Sequence, residues 1–378
     1  MPKLIFVIAE DFGFLSHRLP MALAAKAAGF DVGIITRVND QQTRAQIESK
    51  GFKVFPINWQ RSSINPIAAL TQISEIAKIF RRERPDIIHN VALKPIIWGT
   101  LAALQSGVQR IVNAPVGLGY IFTSDDMMAR ALRLIVAPML RVAMRNHRVR
   151  VIIQNGDDWQ SLARDGIIQH DRSMIIRGSG VELEKYNVMP EPDGPITIGV
   201  AARMLHDKGI LPLVEAQQKL QNAGMDVRLL LAGTPDPENR ATLTADEMAK
   251  ISALPGVTAL GHVTDIPSLW ARCHIAVLPS RREGLPKALL EAAAAGRPLI
   301  ATDVPGCREI CHDSVNGILV PMDDAAAMAA AIKKLAEDEN LRKKYGAASR
   351  AMVETDVSAA AVGAKLVGLY RQMMTEIQ

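Results

Sequence analysis

The feature that most constrains the fold is an alternation of short apolar segments with longer amphipathic ones, which runs twice along the chain. The first unit reads as a strand over 4–9, a loop over 10–15 and a helix over 16–28. After a Pro- and Gly-rich break at 189–195, the alternation restarts with a strand over 196–201. Repeated alternation of this kind predicts parallel sheets that are covered by helices.

The chain has 378 residues, which is too long for one ordinary hydrophobic core. We predict an N-terminal Rossmann-like domain over 1–180 and a C-terminal one over 181–355. A last helix over 356–378 is expected to pack back on the N-terminal domain. Two such halves predict a cleft between them, with ligands bound beyond the carboxyl ends of the strands. Functional residues are therefore expected just after strands.

Charge and cysteine content narrow the partners and the compartment. Residues 1–180 hold 23 Lys and Arg against 14 Asp and Glu, which favours an anionic partner such as a membrane surface or a phosphorylated substrate. Nucleic-acid binding is disfavoured, because aromatic residues make up only 4% of the chain and no known binding motif is present. Three cysteines fit a reducing compartment, and we expect a cytoplasmic protein without a metal site.

The strongest local pattern is the run SRREGLPKALLEA at 280–292, which directly follows an apolar strand at 275–278. Glu283 falls in the turn and Glu291 in the next helix, whose N-terminus is expected at 284–287. Free N–H groups and the helix dipole make such an N-terminus suited to an anion. The two carboxylates can accept hydrogen bonds from sugar and ribose hydroxyls, although each alone is also compatible with a solvated surface position.

A second pattern is VAARMLHDKG at 200–209, which also follows a strand and opens a helix at Gly209. Arg203 and Lys208 place two cations near the strand end. Arginine offers a planar fork that suits phosphate, and lysine a compact charge. Taken alone, an arginine and a lysine at a strand end more often face solvent.

Together the two patterns resemble the retaining glycosyltransferases of family 4, and the likeness extends over nearly the whole chain. The donor signature of that family is two glutamates separated by seven residues, which here are Glu283 and Glu291. Its phosphate-binding pair is an arginine and a lysine around the turn before a helix, here Arg203 and Lys208. Other matching segments are GSGVELEKY at 178–186, LAG at 231–233, LGHV at 260–263 and ATDVPGCRE at 301–309.

The resemblance implies an α/β chain with the GT-B fold, in which two Rossmann-like parallel-sheet domains face a central cleft. It implies that the cations neutralise the donor diphosphate and that no cofactor is needed beyond a nucleotide-sugar substrate, expected to be a UDP-sugar. The sequence lacks an Asp-x-Asp metal motif, which agrees with cations in place of a metal. The implied roles are catalytic for Glu283 and donor-binding for Arg203, Lys208, Gly284, Leu285, Pro286, Glu291, Val263 and Gly13.

Acceptor-side candidates come from the first half. His17 stands at the start of a predicted helix, where it faces either the acceptor or the protein interior. Asn113 and Thr123 are the first and last residues of the segment NAPVGLGYIFT, which resembles a bacterial polysaccharide branch of the family that extends sugars on undecaprenyl diphosphate. Both are candidates for polar contacts to the acceptor.

The stretch at 127–150 predicts a basic amphipathic helix. Five arginines fall within an arc of about 120° when they are plotted at ~100° per residue. Such a helix is typical of binding to an anionic membrane surface. It is also compatible with a helix that packs on its own sheet and leaves the arginines in solvent. The membrane-facing candidates are Arg130, Arg133, Arg141, Arg145 and Arg148.

We therefore predict a retaining, metal-independent hexosyltransferase that is peripheral on the inner face of the cell membrane. It would move a hexose or N-acetylhexosamine from a UDP-sugar to a lipid-diphosphate-linked glycan in the assembly of cell-surface polysaccharide or glycoprotein glycans. The alternatives are a transferase acting on a soluble acceptor and a UDP-sugar epimerase of the same architecture.

Overall fold

The structure is a computed structural model that describes residues 1–58, 66–116, 127–239 and 241–376. The chain divides into two compact units. Unit 1 consists of Met1–Ser179 and Ala360–Gln378, and unit 2 consists of Gly180–Ala359.

Unit 1 contains a seven-stranded parallel sheet in the order β3-β2-β1-β4-β5-β6-β7. Its strands are β1 (Lys3–Glu10), β2 (Asp31–Arg37), β3 (Lys53–Pro56), β4 (Ile87–Val91), β5 (Arg110–Ala114), β6 (Val149–Ile153) and β7 (Ser173–Ile175). Its helices up to β7 are α1 (Asp11–His17), α2 (Leu19–Ala27), α3 (Gln41–Ser49), α4 (Pro66–Glu83), α5 (Leu93–Ser106), α6 (Met127–Arg145) and α7 (Gly156–Arg164).

The central strand β1 shows why the sheet is covered on both faces. Leu4 and Phe6 belong to one buried apolar cluster, while Ile5 and Val7 belong to another. Because successive side chains of a strand point to opposite faces, an unbroken apolar run buries both.

Unit 2 contains a six-stranded parallel sheet in the order β10-β9-β8-β11-β12-β13. Its strands are β8 (Ile196–Ala201), β9 (Val227–Ala232), β10 (Val257–Gly261), β11 (Ile275–Leu278), β12 (Leu299–Thr302) and β13 (Gly317–Val320). Its helices are α8 (Ile210–Asn222), α9 (Ala245–Ser252), α10 (Ile266–Ala271), α11 (Lys287–Ala294), α12 (Pro305–Arg308), α13 (Ala325–Glu337) and α14 (Glu339–Thr355).

The last helix, α15 (Ala359–Thr375), packs in unit 1. Its residues Leu366 and Tyr370 lie in the same apolar cluster as Phe6 of β1. The Tyr370 hydroxyl lies 2.6 Å from Nδ1 of the buried His89, and Arg110 Nε donates to the Met373 carbonyl at 2.6 Å. Two polar contacts to neighbouring strands therefore hold this helix on the sheet.

The predicted fold class is confirmed, because both units are parallel α/β sheets with the strand order of the Rossmann type. The predicted loop over 10–15 is wrong, and the helix predicted over 16–28 starts later, since α2 spans Leu19–Ala27. Helix α1 already begins at Asp11, whose carboxylate accepts hydrogen bonds from the backbone N–H groups of Phe12 and Asn39 at 2.8 and 2.9 Å. A break at Arg18 separates α1 from α2, because Pro20 has no N–H to continue the helical hydrogen bonds.

Candidate active site

The candidate site lies at the carboxyl edge of the unit 2 sheet, where the strand order reverses. Strands β8 and β11 are neighbours there, although β9 and β10 come between them in the chain. Parallel α/β sheets bind ligands at this switch point. The loop over 202–209 follows β8 and the loop over 279–286 follows β11, so the two predicted motifs meet at one place.

Gly209 shows how closely these two loops approach each other. Its φ of +65° is left-handed, and a Cβ atom at this position would lie 2.0 Å from the Pro279 carbonyl oxygen. The Arg281 N–H also donates to the Asp207 carbonyl at 2.9 Å. Only glycine fits here, because any side chain would force the loops apart.

Lys208 and Glu283, which come from the two separate motifs, form an ion pair. The Lys208 Nζ and Glu283 Oε1 atoms are 2.5 Å apart, and the side chains are only 19% and 13% exposed. Sequence reasoning identified both residues but not this contact. The pair joins the β8 loop to the β11 loop and holds a lysine ammonium at the switch point.

Arg203 lies at the same edge and is 48% exposed. Its Nη1 donates to Oδ2 of Asp236 at 2.6 Å. Asp236 follows β9, which is the neighbour of β8 on its other side. Sequence reasoning missed Asp236, and the available signal was its place four residues after a strand end. The Met204 N–H donates to the Thr234 carbonyl at 3.0 Å and so ties these two loops together.

Helix α11 begins at Lys287, with Pro286 as its N-cap residue and no side-chain cap. The first amide groups of the helix have no partner within it, as at every helix start. Leu285 packs against the unit 2 core and Pro286 is buried, which fixes the entry of the chain into the helix. Gly306 of α12 lies so close that a Cβ there would be 2.6 Å from the Gly284 carbonyl oxygen.

Glu291 lies on the fifth residue of α11 and is buried. Its Oε1 is 3.4 Å from Nζ of Lys287, and its carboxylate lies beside the Tyr186 hydroxyl. Burial raises the pKa of Glu291 above its ordinary value, against the opposing effects of Lys287 and Tyr186. Val263 lies just after β10, two strands from β8, and is partly buried against the unit 2 core.

The unit 1 candidates fall in different environments. Gly13 lies in α1 with open space where a Cβ would stand, and His17 is exposed at the end of the same helix. Asn113 is fully buried, and its amide group donates to the Thr100 hydroxyl and the Ala143 carbonyl at 3.1 Å. Its polar atoms therefore serve the interior of unit 1. Thr123 lies outside the described residues.

The predicted basic helix is α6, which ends at Arg145. Arg130, Arg141 and Arg145 are exposed, and Arg133 is partly buried. Arg148 departs from the prediction, because it lies beyond the helix, where its Nη1 donates to the Val108 carbonyl at 3.4 Å.

The exposed face of α6 also carries large apolar side chains. Leu134 is 79% exposed, Ile135 64% and Val142 62%. At ~100° per residue these three lie beside the exposed arginines on the outer side of the helix. Nowhere in the ranges that the structure describes is a helix both long and apolar enough to cross a membrane.

Among the residues with described positions, no group of three or more His, Cys, Asp or Glu is arranged to hold a metal ion. The three cysteines, Cys273, Cys307 and Cys311, are buried and form no disulfide.

Both halves of the chain match models of glycosyltransferase families. Residues 3–155 match the model described as "Glycosyl transferase 4-like" and residues 195–338 the one described as "Glycosyl transferases group 1".

Among curated relatives, the N,N'-diacetylbacillosaminyl-diphospho-undecaprenol alpha-1,3-N-acetylgalactosaminyltransferase of Campylobacter jejuni is 26% identical over 87% of this chain and 90% of its own length. The UDP-Gal:alpha-D-GlcNAc-diphosphoundecaprenol alpha-1,3-galactosyltransferase of Escherichia coli is 22% identical over 82% of this chain and 81% of its own length.

Among solved structures, Anabaena HepE in complex with UDP-glucose superposes with a TM-score of 0.78 and 16% identity, over 98% of this chain and all of that one. At this identity the superposition supports the fold and no more. The two family models and the two parallel-sheet units agree with the predicted resemblance. The chain therefore belongs to the glycosyltransferases that these two models describe, and it has the GT-B fold.

Proposed function

We propose that this glycosyltransferase is a retaining, metal-independent enzyme that transfers a hexose or N-acetylhexosamine from a UDP-sugar to a lipid-diphosphate-linked glycan. The observation that carries the donor half of the proposal is the convergence of Arg203, Lys208, Glu283 and the start of α11 at the switch point of unit 2. Cations, a helix N-terminus and carboxylates within one loop cluster suit a sugar that is attached to a diphosphate.

The leaving group sets the chemical requirement. Negative charge grows on the diphosphate as the bond to the sugar breaks, and fixed cations with N–H dipoles can stabilise it without a metal. In the proposal Arg203 and Lys208 bind the diphosphate, and the backbone of 284–286 binds the leaving phosphate. Glu283 contacts the donor sugar. The oxygen of the leaving phosphate takes the proton from the acceptor hydroxyl, which attacks on the same face of the sugar.

The remaining donor contacts follow from position. Glu291 is buried on α11 beside Tyr186, and we assign it the ribose hydroxyls. We assign Val263, after β10, to contact with the nucleotide base. We assign Gly13 of unit 1 the role of letting its backbone approach the donor phosphates closely. His17 and Thr123 remain acceptor-side candidates. The buried, hydrogen-bonded amide of Asn113 favours a structural role, so we leave it out of the acceptor site.

The acceptor part of the proposal is supported by the relatives, whose names specify undecaprenyl-diphosphate-linked sugars. An acceptor of that kind is held in a membrane, and the outer face of α6 combines arginines with exposed aliphatic side chains. Leu134 and Val142 can enter the headgroup region while Arg141 and Arg145 meet anionic lipid. We therefore place the enzyme on the inner face of the cell membrane, where its free cysteines stay reduced.

The donor site is tested by calorimetric titration of UDP and of UDP-sugars, with and without a chelator. We expect Arg203→Ala and Lys208→Ala each to weaken UDP binding by about ten- to a hundredfold, since each removes a charge-assisted hydrogen bond. Lys219→Ala is the matched control, because this exposed lysine of α8 pairs with Glu215 of its own helix. Binding that needs a divalent metal, or that survives both substitutions, would contradict the proposal.

The acceptor class is tested by activity and by flotation. Turnover of a UDP-sugar without any acceptor would indicate the epimerase instead, and turnover with a soluble sugar alone would indicate the soluble-acceptor alternative. Flotation with anionic vesicles should be lost in the variant Leu134→Ser/Arg141→Ser/Arg145→Ser. It should persist in Lys343→Ser, an exposed cation of unit 2. Equal flotation of both variants would remove α6 as the membrane surface.

A further inference from the structure

The ion pair between Arg203 and Asp236 has no role in the proposed function. We propose that Asp236 is a positioning residue that occupies Arg203 when the donor diphosphate is absent and sets how tightly the UDP product is held. This inference rests on the proposed role of Arg203. It adds a determinant of product release to a site whose other charged residues were found from sequence.

Asp236 is held in place by its own loop. Its backbone N–H donates to the Thr242 hydroxyl at 2.9 Å, and its Oδ1 accepts from the Glu238 N–H at 3.2 Å. The side chain is only 18% exposed, whereas that of Arg203 is 48% exposed. The Asp236 carboxylate is therefore fixed, whereas the longer and more exposed Arg203 side chain is the partner that can move.

The contact engages one end of the guanidinium group. Nη1 donates to Asp236 Oδ2 at 2.6 Å, and arginine has further N–H donors that suit phosphate oxygens. A diphosphate bound to those donors lies within a few ångströms of the Asp236 carboxylate. Two negative groups then share one cation, and their repulsion lowers the affinity for the diphosphate.

The same arrangement assists release. When UDP leaves, Asp236 takes back the full charge of Arg203, so the cation is not left without a counterion. The carboxylate of Glu283 is paired with Lys208 instead. The loop after β9 thus gives the arginine a resting partner of its own.

The test uses Asp236→Asn in the full-length protein with UDP as the probe. Asparagine keeps the carbonyl oxygen that accepts from the Glu238 N–H. It removes the charge and replaces Oδ2, the atom that accepts from Arg203, with an NH2 group that only donates. We expect UDP to bind about five- to tenfold more tightly, because one repulsion near the phosphates is removed. The thermal midpoint of the ligand-free protein should stay close to that of the wild type. Inhibition by added UDP should grow stronger in the same proportion.

Glu339→Gln is the control, since Glu339 pairs with Lys343 at 2.6 Å on α14 of the same unit and lies in none of the donor-site loops. It should leave UDP binding unchanged. In an Arg203→Ala background, Asp236→Asn should tighten UDP binding less than it does in the wild type, because the residues act as a pair.

If Arg203→Ala weakens UDP binding but Asp236→Asn leaves it unchanged or weakens it, the role of Asp236 is refuted while the donor site stands. If Arg203→Ala has no effect on UDP binding, the donor site itself fails and this role fails with it.

Discussion

Substituting Gly209 tests whether the contact between the two loops at the switch point builds the donor site. Gly209 follows Lys208 directly, and its α-carbon faces the carbonyl of Pro279, the first residue of the loop that carries Glu283. In Gly209→Ala the added methyl group must push these loops apart. We expect the substitution to lower both the stability of unit 2 and its affinity for UDP.

The magnitude follows from two contributions. A side chain at φ +65° costs about 1 kcal/mol in the left-handed region. The added Cβ would stand 2.0 Å from the Pro279 oxygen, against an ordinary contact of 3.4 Å or more, and overpacking of this kind costs about 1–3 kcal/mol. The total is about 2–4 kcal/mol, and a unit of this size loses about 2–4 °C in melting temperature for each kcal/mol.

The control is Gly224→Ala, after α8 in the same unit. Gly224 has φ +82° but no atom within 4 Å of a built Cβ, so this variant carries only the backbone cost of about 1 kcal/mol. Thermal unfolding and UDP titration of both variants separate the clash from the backbone conformation. We expect UDP binding to be normal in Gly224→Ala and more than tenfold weaker in Gly209→Ala. Equal melting temperatures together with equal UDP affinities would refute the reasoning.

Two further predictions concern buried titratable groups, each measured by thermal unfolding without ligand. Burial raises the pKa of Glu291, so the wild type loses stability as pH rises from the ordinary glutamate pKa through this higher value. Glu291→Gln should therefore melt higher than the wild type near neutral pH but not in acid, and a pH-independent difference would contradict this. Tyr370→Phe leaves Nδ1 of the buried His89 without its partner and should destabilise unit 1 by about 1–3 kcal/mol, with UDP affinity unchanged. A loss of UDP affinity in Tyr370→Phe would contradict the assignment of this contact to unit 1 alone.

The fold was predictable because the spacing of apolar residues along the chain indicates which side chains are buried. The run at 275–278 has no polar position, and all four of its residues are buried in β11 at the centre of the unit 2 sheet. The same reasoning failed where a local polar contact determines a helix boundary. Asp11, at the start of α1, accepts hydrogen bonds from the N–H groups of Phe12 and Asn39, and Asn39 is too distant in the chain for a local pattern to indicate it.

The candidate site was predictable only in part, for a related reason. Residues after strands are brought to one edge of a parallel sheet, so Arg203 and Glu283 could be placed together from strand positions alone. Which charge pairs with which depends on strand order. Asp236 reaches Arg203 because β9 lies beside β8, an adjacency that the sequence does not record.

The cations of the proposed donor site are paired with carboxylates before any ligand arrives. Lys208 contacts Glu283 and Arg203 contacts Asp236. Such pairing limits the attraction for an intact UDP-sugar, because each cation already has a counterion. As the bond to the sugar breaks, the negative charge on the diphosphate grows and competes more strongly for the same cations. Under the proposed roles, the pairs make the interaction stronger in the transition state than in the bound substrate, which is the difference that accelerates a reaction.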